Sequence, residues 1–388
     1  MNFELSPEQE LMRQSVRRLV ERAIEPLLAT HDRDLPLSKS AYLEVLTQFA
    51  GLGLTAPRLP ESGGGPGIRM LDYGIMFEQL PTAIAIALLA HEGAIARMYA
   101  ECSDAQRQRF LPDLIAGRKI ACTGSTEPDT GSDPRGVKTR LSRRGSRLVL
   151  NGSKMWITNV TVCDTIVVTC LDCREDDRGA NIVKVVVERD KAPFETRSIP
   201  TIGLRQGILG EATFADCEVQ AENVIESGSG GTEILKTTWM INRPLIGLQA
   251  VRLAQRACDV ALDYAKVRRQ FGKVIAGHQL VQKNLSDSMS AITAARLLCY
   301  YALSLIDGGG SAEGAAAMAK RFAQNSCREV VWQAMNVLGA MGLSEEARVE
   351  SLYRDICMLS IPDGTNEILA LIHGRELTGI EAFRGTAR

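Results

Sequence analysis

The stretch Pro362-Asp363-Gly364-Thr365 puts one carboxylate into a tightly prescribed piece of backbone, because Asp-Gly is a favoured turn pair. A carboxylate in a turn serves as a general base when it reaches about 3 Å from the proton it removes. It can equally cap a helix, and one residue can do both. A second stretch, Thr123-Gly-Ser-Thr-Glu-Pro-Asp-Thr-Gly-Ser-Asp133, crowds hydroxyls and small residues into eleven positions. Such a segment offers side-chain hydroxyls and backbone amides as hydrogen-bond donors. Trp156, inside Lys154-Met-Trp-Ile-Thr-Asn159, supplies an aromatic face, either to a ligand or to the core. Arg268, opening Arg268-Arg-Gln-Phe-Gly-Lys273, carries the forked donors that suit a pyrophosphate, or else a solvated charge at a helix end. Metal chemistry has little support. There are ten cysteines and four histidines, and the single Cys170-Leu-Asp-Cys173 has no second pair. The cysteines read as reduced, mostly buried thiols in a cytoplasmic protein.

Three segments must position these groups. From 1 to 120 the chain reads helical. Ser6-Pro7-Glu8-Gln9 is a helix start, with Leu11, Val16, Leu19 and Val20 following at helical spacing. The glycine-rich stretch from Gly51 to Gly67 follows no strand, so it reads as a surface turn between helices and not as a phosphate loop. From 121 to 230 short β-type runs appear: Arg147–Leu150, Thr165–Val168, Ile182–Val187 and Glu211–Phe214. No helix-length segment separates them, which predicts an antiparallel sheet. From 231 to 388 long helices return. Ala254, Ala257, Ala261 and Ala265 form a small-residue face, and Leu285, Met289, Ile292 and Ala295 continue the pattern. The fold class is therefore α+β: a helical domain, a β-domain and a helical bundle.

Composition narrows the function. The 388 residues are 45% hydrophobic with a net charge of −1. That balance argues against a nucleic-acid partner, which needs a dense basic surface. No apolar run is expected to reach membrane-spanning length. The start, MNFELSPEQELM, has three acids and no basic residue, so it does not read as a secretion signal.

Taken in order and spacing, the 123–133, 154–159 and 268–273 segments, with Arg354-Asp355 and Pro362-Asp-Gly-Thr-Asn-Glu367, resemble the acyl-CoA dehydrogenase flavoproteins. Gly203-Leu-Arg205 and Phe214-Ala-Asp216 fit the same pattern, so the resemblance covers nearly the whole chain. It implies FAD as cofactor and α,β-dehydrogenation of an acyl thioester. In that chemistry a carboxylate takes the α-proton, the β-hydrogen leaves as hydride to the flavin, and a trans-2-enoyl thioester results. The implied fold is a helical N-terminal domain, a central antiparallel β-domain and a C-terminal four-helix bundle.

The resemblance also assigns residues. Thr123, Ser125, Thr126, Trp156 and Thr158 would flank the flavin ring. Arg268 and Phe271 would reach the FAD of a neighbouring subunit, implying a homodimer or homotetramer, and Gln279 would also touch the cofactor. Asn336 and Gly339 would lie over the adenine half, Asn336 standing where glutamine is usual. Thr365 and Glu367 are further cofactor positions. Ser132, Arg243 and Gly364 would touch the acyl-CoA. Asp363 would be the base, in place of the more usual glutamate, with its carboxylate withdrawn by roughly 1.5 Å, one C–C bond. The alternative base position before Arg243 holds Asn242, which cannot serve. Electrons would pass to an electron-transferring flavoprotein. An acyl-carrier-protein substrate, the reverse enoyl-CoA reduction, and a flavin protein without catalysis remain as alternatives.

Overall fold

A computed structural model of the chain describes residues 3–133, 136–175, 181–226 and 233–382. The first segment is helical: α1 (Pro7–Leu19), a π-helical turn at Val20–Ile24, α2 (Glu25–Ala29), α3 (Lys39–Ala50), α4 (Met70–Phe77), α5 (Thr82–Glu101) and α6 (Asp104–Ile115). The α1 start is a full capping box, with Ser6 accepting from the Gln9 amide and the Gln9 side chain returning to the Ser6 amide. Val16 and Val20 are buried as expected, but Leu11 is 61% exposed.

The middle segment holds β1 (Ala121–Gly124), β2 (Arg140–Arg144), β3 (Arg147–Thr158), β4 (Thr165–Cys173), β5 (Asn181–Glu188), β6 (Glu195–Ser198), β7 (Leu209–Val219) and β8 (Val224–Ile225). They form one sheet in the order β6-β7-β3-β2-β4-β5-β8, with β1 also on β4. All four β-type runs fall within strands. The sheet is mainly antiparallel, but β4 pairs in parallel with both β1 and β2, which strand-length patterns alone do not specify.

The third segment runs α7 (Glu233–Val267), a hairpin of β9 (Arg269–Gln270) and β10 (Lys273–Val274), α8 (Gln279–Asp307), α9 (Glu313–Leu338), α10 (Val349–Met358) and α11 (Asn366–Thr378). Helices α7, α8 and α9 pack together, and α10 and α11 lie against α9. Ala254, Ala257, Ala261 and Ala265 are all buried on α7, where the absence of bulk lets helices approach. On α8, Ile292 and Ala295 are buried, whereas Met289 is 41% exposed.

Two expectations need correction. Helices α5 and α8 are each long and apolar enough, by length and composition, to cross a membrane. Helix α5 is apolar on nearly every side because it threads the junction of the three segments, and it carries buried His91, Glu92 and Arg97 there. The 51–67 stretch is also not a plain surface turn. Leu54 to Pro57 and Leu59 are buried, and Arg58 sends its side chain inward.

Candidate active site

A cavity of about 1170 Å³ opens where α5, the segment following β1, β3, α7 and the α10–α11 turn converge. It is on the scale of sites that hold drug-sized ligands, roughly 300–1,000 Å³. Ten sequence-predicted residues line it: Thr123, Ser125, Thr126, Ser132, Trp156, Thr158, Arg243, Asp363, Gly364 and Thr365. These positions span more than 240 residues of sequence, so the fold brings together what the motifs only suggest.

On the β side, Trp156 is 54% exposed. The β3–β7 register slips between Lys154 and Ile157, and Trp156 has φ +60°. This bulge turns the indole out of the strand alternation and presents it to the cavity. Lys154, two residues earlier, goes the other way and is fully buried. Its Nζ donates to Glu127 Oε1 at 2.7 Å and to the Ser125 carbonyl at 3.3 Å. Glu127 also accepts from the Lys138 amide at 2.7 Å, the Thr139 amide at 2.9 Å and the Thr139 hydroxyl at 2.6 Å. Burial alone would raise its pKa, but the Lys154 and Thr139 bonds hold it below the ordinary glutamate value. Glu127 is thus a fully engaged anchor that fixes the 123–127 edge, a role the motif did not reveal. His91 fixes the same edge from α5. Its Nδ1 accepts from the Ala121 amide at 3.1 Å, so Nε2 carries the proton donated to the Leu114 carbonyl at 3.1 Å.

On the helical side, Asp363 sits in the turn between α10 and α11 with φ +54°, a left-handed conformation that aspartate tolerates better than most residues. The three successive carbonyls of this turn are held by buried cations. Lys320 Nζ donates to the carbonyls of Pro362 and Gly364, the latter at 2.8 Å, and Arg243 Nε donates to that of Asp363 at 3.1 Å. Burial pushes the Lys320 ammonium down to about 7 against the attraction of Asp363. Among the described residues nothing donates to the Asp363 carboxylate, which faces the cavity unspent. Thr365 caps α11, its hydroxyl accepting from the Ile368 amide at 3.4 Å. It therefore has a structural task besides any ligand contact. Asn242, beside Arg243, is buried and its Oδ1 accepts from Arg58 Nη2 at 2.6 Å.

Six predicted residues lie outside this cavity. Arg268, Phe271 and Gln279 are exposed around the β9–β10 hairpin. Asn336 and Gly339 are exposed at the end of α9, where Gly339 adopts φ +63° and ψ −133°. Glu367 opens onto a separate shallow pocket of about 520 Å³ with Arg321, Asn325 and Arg328. Sequence reasoning missed Lys320, Arg58, Glu92 and Arg97. Lys320 left a trace, since it shares a helical face with the buried Ala316 and Ala323.

The residues fit a flavin. A large aromatic is displayed by a bulge, a hydroxyl-rich edge is anchored opposite it, and the void admits a planar ring together with a chain. Among the described residues no group of three or more metal-ligating side chains occurs.

Comparison with known proteins agrees along the whole chain. Residues 6–118, 122–217 and 229–378 match the N-terminal, middle and C-terminal domains of acyl-CoA dehydrogenase, respectively. A cyclohex-1-ene-1-carbonyl-CoA dehydrogenase of Geobacter metallireducens is 34% identical, over 96% of this chain and 98% of its own. The structure of butyryl-CoA dehydrogenase from Megasphaera elsdenii superposes with a TM-score of 0.88 at 29% identity, covering 97% of this chain and 100% of its own. A glutaryl-CoA dehydrogenase from Mycobacterium smegmatis in complex with FADH2 gives 0.87 at 25% identity, covering 98% and 97%.

Proposed function

Because the chain belongs to the acyl-CoA dehydrogenase family of flavin oxidoreductases, we propose that it dehydrogenates an acyl-CoA between Cα and Cβ with Asp363 as the base. The observation that supports this most is the Asp363 carboxylate itself, unspent and facing the cavity on a turn held by Lys320 and Arg243. The other carboxylates along the cavity are occupied. Glu127 accepts four hydrogen bonds, and Asp129 pairs with Lys138 at 2.7 Å.

FAD is the cofactor in this reading. Trp156, Thr158, Thr123, Ser125 and Thr126 would hold its ring, and the bound flavin supplies the two-electron acceptor for the β-hydrogen. Ser132 and Arg243 stand on the substrate side. Ile86, Leu89, Ala90 and Gly93 of α5, with Ile246 of α7, give the acyl chain an apolar wall that excludes water from the acidic α-position. Asp363 receives the α-proton, on a turn whose carbonyls Lys320 and Arg243 hold in place. The electrons then pass to an electron-transferring flavoprotein, and the working unit is a homo-oligomer.

The test is Asp363→Asn, which suits the same left-handed backbone but cannot take a proton. Purified Asp363→Asn should remain yellow and bind acyl-CoA. It should lose thioester-dependent bleaching and the exchange of α-deuterium into water. Exchange at the wild-type rate would remove Asp363 from the role.

A further inference from the structure

Asn242 breaks the apolar surface that α5 and α7 turn to the cavity, which Thr238 and Arg243 of α7 and Arg97 of α5 also line. Helix α5 turns Ile86, Leu89, Ala90 and Gly93 toward the cavity at helical spacing, and α7 contributes Ile246. One turn before Ile246, on the same face of α7, stands Asn242. Its orientation is set by chemistry. Arg58 has only donors, and its Nη2 lies 2.6 Å from Asn242 Oδ1, so the amide oxygen must face the arginine. The NH2 end therefore points away from Arg58, and no described residue accepts from it.

Arg58 is itself fixed. The same Nη2 donates to Glu92 Oε1 at 2.5 Å, and both side chains are almost wholly buried. Burial raises the Glu92 carboxyl to about 7 against the pull of Arg58. Among the described residues Glu92 Oε2 and Arg58 Nε have no hydrogen-bond partner. An ion pair with unspent atoms in the core is an expensive way to hold a loop, and apolar packing would do that task better. What the pair does hold is the direction of the Asn242 amide.

We infer that the Glu92–Arg58–Asn242 chain presents a fixed hydrogen-bond donor to the acyl group, so that the preferred substrate is an acyl-CoA bearing an acceptor oxygen (carboxylate, hydroxyl or carbonyl) on its acyl chain. This rests on the acyl-CoA reading of the cavity. An apolar wall accommodates any chain of the right length, whereas one donor at fixed depth selects a chain with an acceptor there. Asn242 is the specificity-determining contact. Arg58 is a positioning residue, acting through it.

The experiment compares acyl-CoAs matched in carbon number, a plain alkyl chain against chains carrying a carboxylate, a hydroxyl or an oxo group. kcat and KM are measured on the flavin-loaded wild type, Arg58→Met, Arg58→Lys and Asn242→Leu. The wild type should favour at least one oxygenated chain by roughly tenfold or more in kcat/KM, carried by KM. Arg58→Met and Asn242→Leu should bring that ratio toward one, and Arg58→Lys should restore part of it. A change that merely loosens the fold lowers both substrate types together and leaves the ratio standing, which overturns the inference. A wild-type ratio of one or less for every acceptor overturns it as well. Should Arg58→Met fail to fold, Asn242→Leu decides alone. If no thioester bleaches the wild-type flavin, the dehydrogenase reading falls and this inference with it. If plain chains bleach it without preference, only this inference falls.

Discussion

Lys320 Nζ lies 2.8 Å from the carbonyl oxygen of Gly364 and also donates to that of Pro362, so one buried ammonium straddles Asp363. Asp363 and Gly364 both have positive φ, at +54° and +112°. Such a turn persists only where its surroundings hold it. Lys320→Met should therefore keep the flavin but lower kcat on the order of 10²-fold, the usual cost of misplacing a reacting group by about 1 Å. Stability carries a second signature. The folded value of Lys320, about 7, lies below the ordinary lysine value of 10.5. The cost of burying the charge is fully present below pH 7 and fades as pH rises toward 10. Wild type should thus gain on Lys320→Met by up to about 1.4 kcal/mol per pH unit in that window, measured by denaturant unfolding.

Asp363→Glu returns the missing methylene and extends the carboxylate by roughly 1.5 Å. It also places a residue less suited to positive φ at +54°, at a cost on the order of 1 kcal/mol. The expected outcome is a small drop in melting temperature together with a changed substrate profile. Straight-chain acyl-CoAs should improve relative to bulkier ones, since a longer base reaches a substrate seated less deeply. An unchanged profile would mean that the turn and not the side-chain length sets the reach.

Much of this site is readable in the sequence because its parts are contiguous. The 123–133 and 154–159 segments each carry their own turn and bulge chemistry, and most residues of each line the cavity. Asp363 and Arg243 are likewise marked by their neighbours. The supporting charges are not readable. Lys320 meets Gly364 across 44 residues and Arg58 meets Asn242 across 184, and neither pairing leaves a local pattern. A lysine in an alanine-rich helix reads as solvated until the fold shows it on the buried face of that helix. The parallel pairing of β1 with β4 is hidden in the same way, since four residues of strand do not encode a partner. For α5 the failure was one of burial, because a helix packed all round in a protein core has the composition of one packed in lipid.

His91 predicts an acid limb of stability. Burial lowers its pKa from 6.5 to about 4, and it is held neutral between the Leu114 carbonyl and the Ala121 amide. Between pH 6.5 and 4 the unfolded chain takes up a proton that the folded chain refuses. Stability is therefore present above 6.5 and lost as pH falls through the window, by on the order of 3 kcal/mol in total. His91→Gln should flatten this part of the unfolding-versus-pH curve and lower flavin retention, since β1 loses its tie to α5. An unaltered slope in His91→Gln would assign the acid limb to other groups.

The β9–β10 hairpin makes the last prediction. Phe271 and Gly272 have φ +50° and +78°, the signature of a two-residue type I′ turn, which places an aromatic residue where glycine or asparagine is preferred. Phe271 is 93% exposed, and its ring stands edge-to-face with His278 at 6.0 Å between centroids. A phenylalanine kept in a strained turn and shown to solvent is out of place in an isolated chain, because burying such a ring contributes 150–250 Å² of contact. Arg268 is exposed at the base of the same hairpin. Both fit a contact made with another copy of the chain. Light scattering should give a mass at least twice the 42.2 kDa of one chain. Phe271→Ala and Arg268→Ala should each weaken FAD retention in ultrafiltration by roughly tenfold, about 1.4 kcal/mol, while the Trp156 side of the cavity stays unaltered. A monomeric wild type, or variants that hold FAD as tightly as the wild type does, would take Arg268 and Phe271 out of the cofactor site.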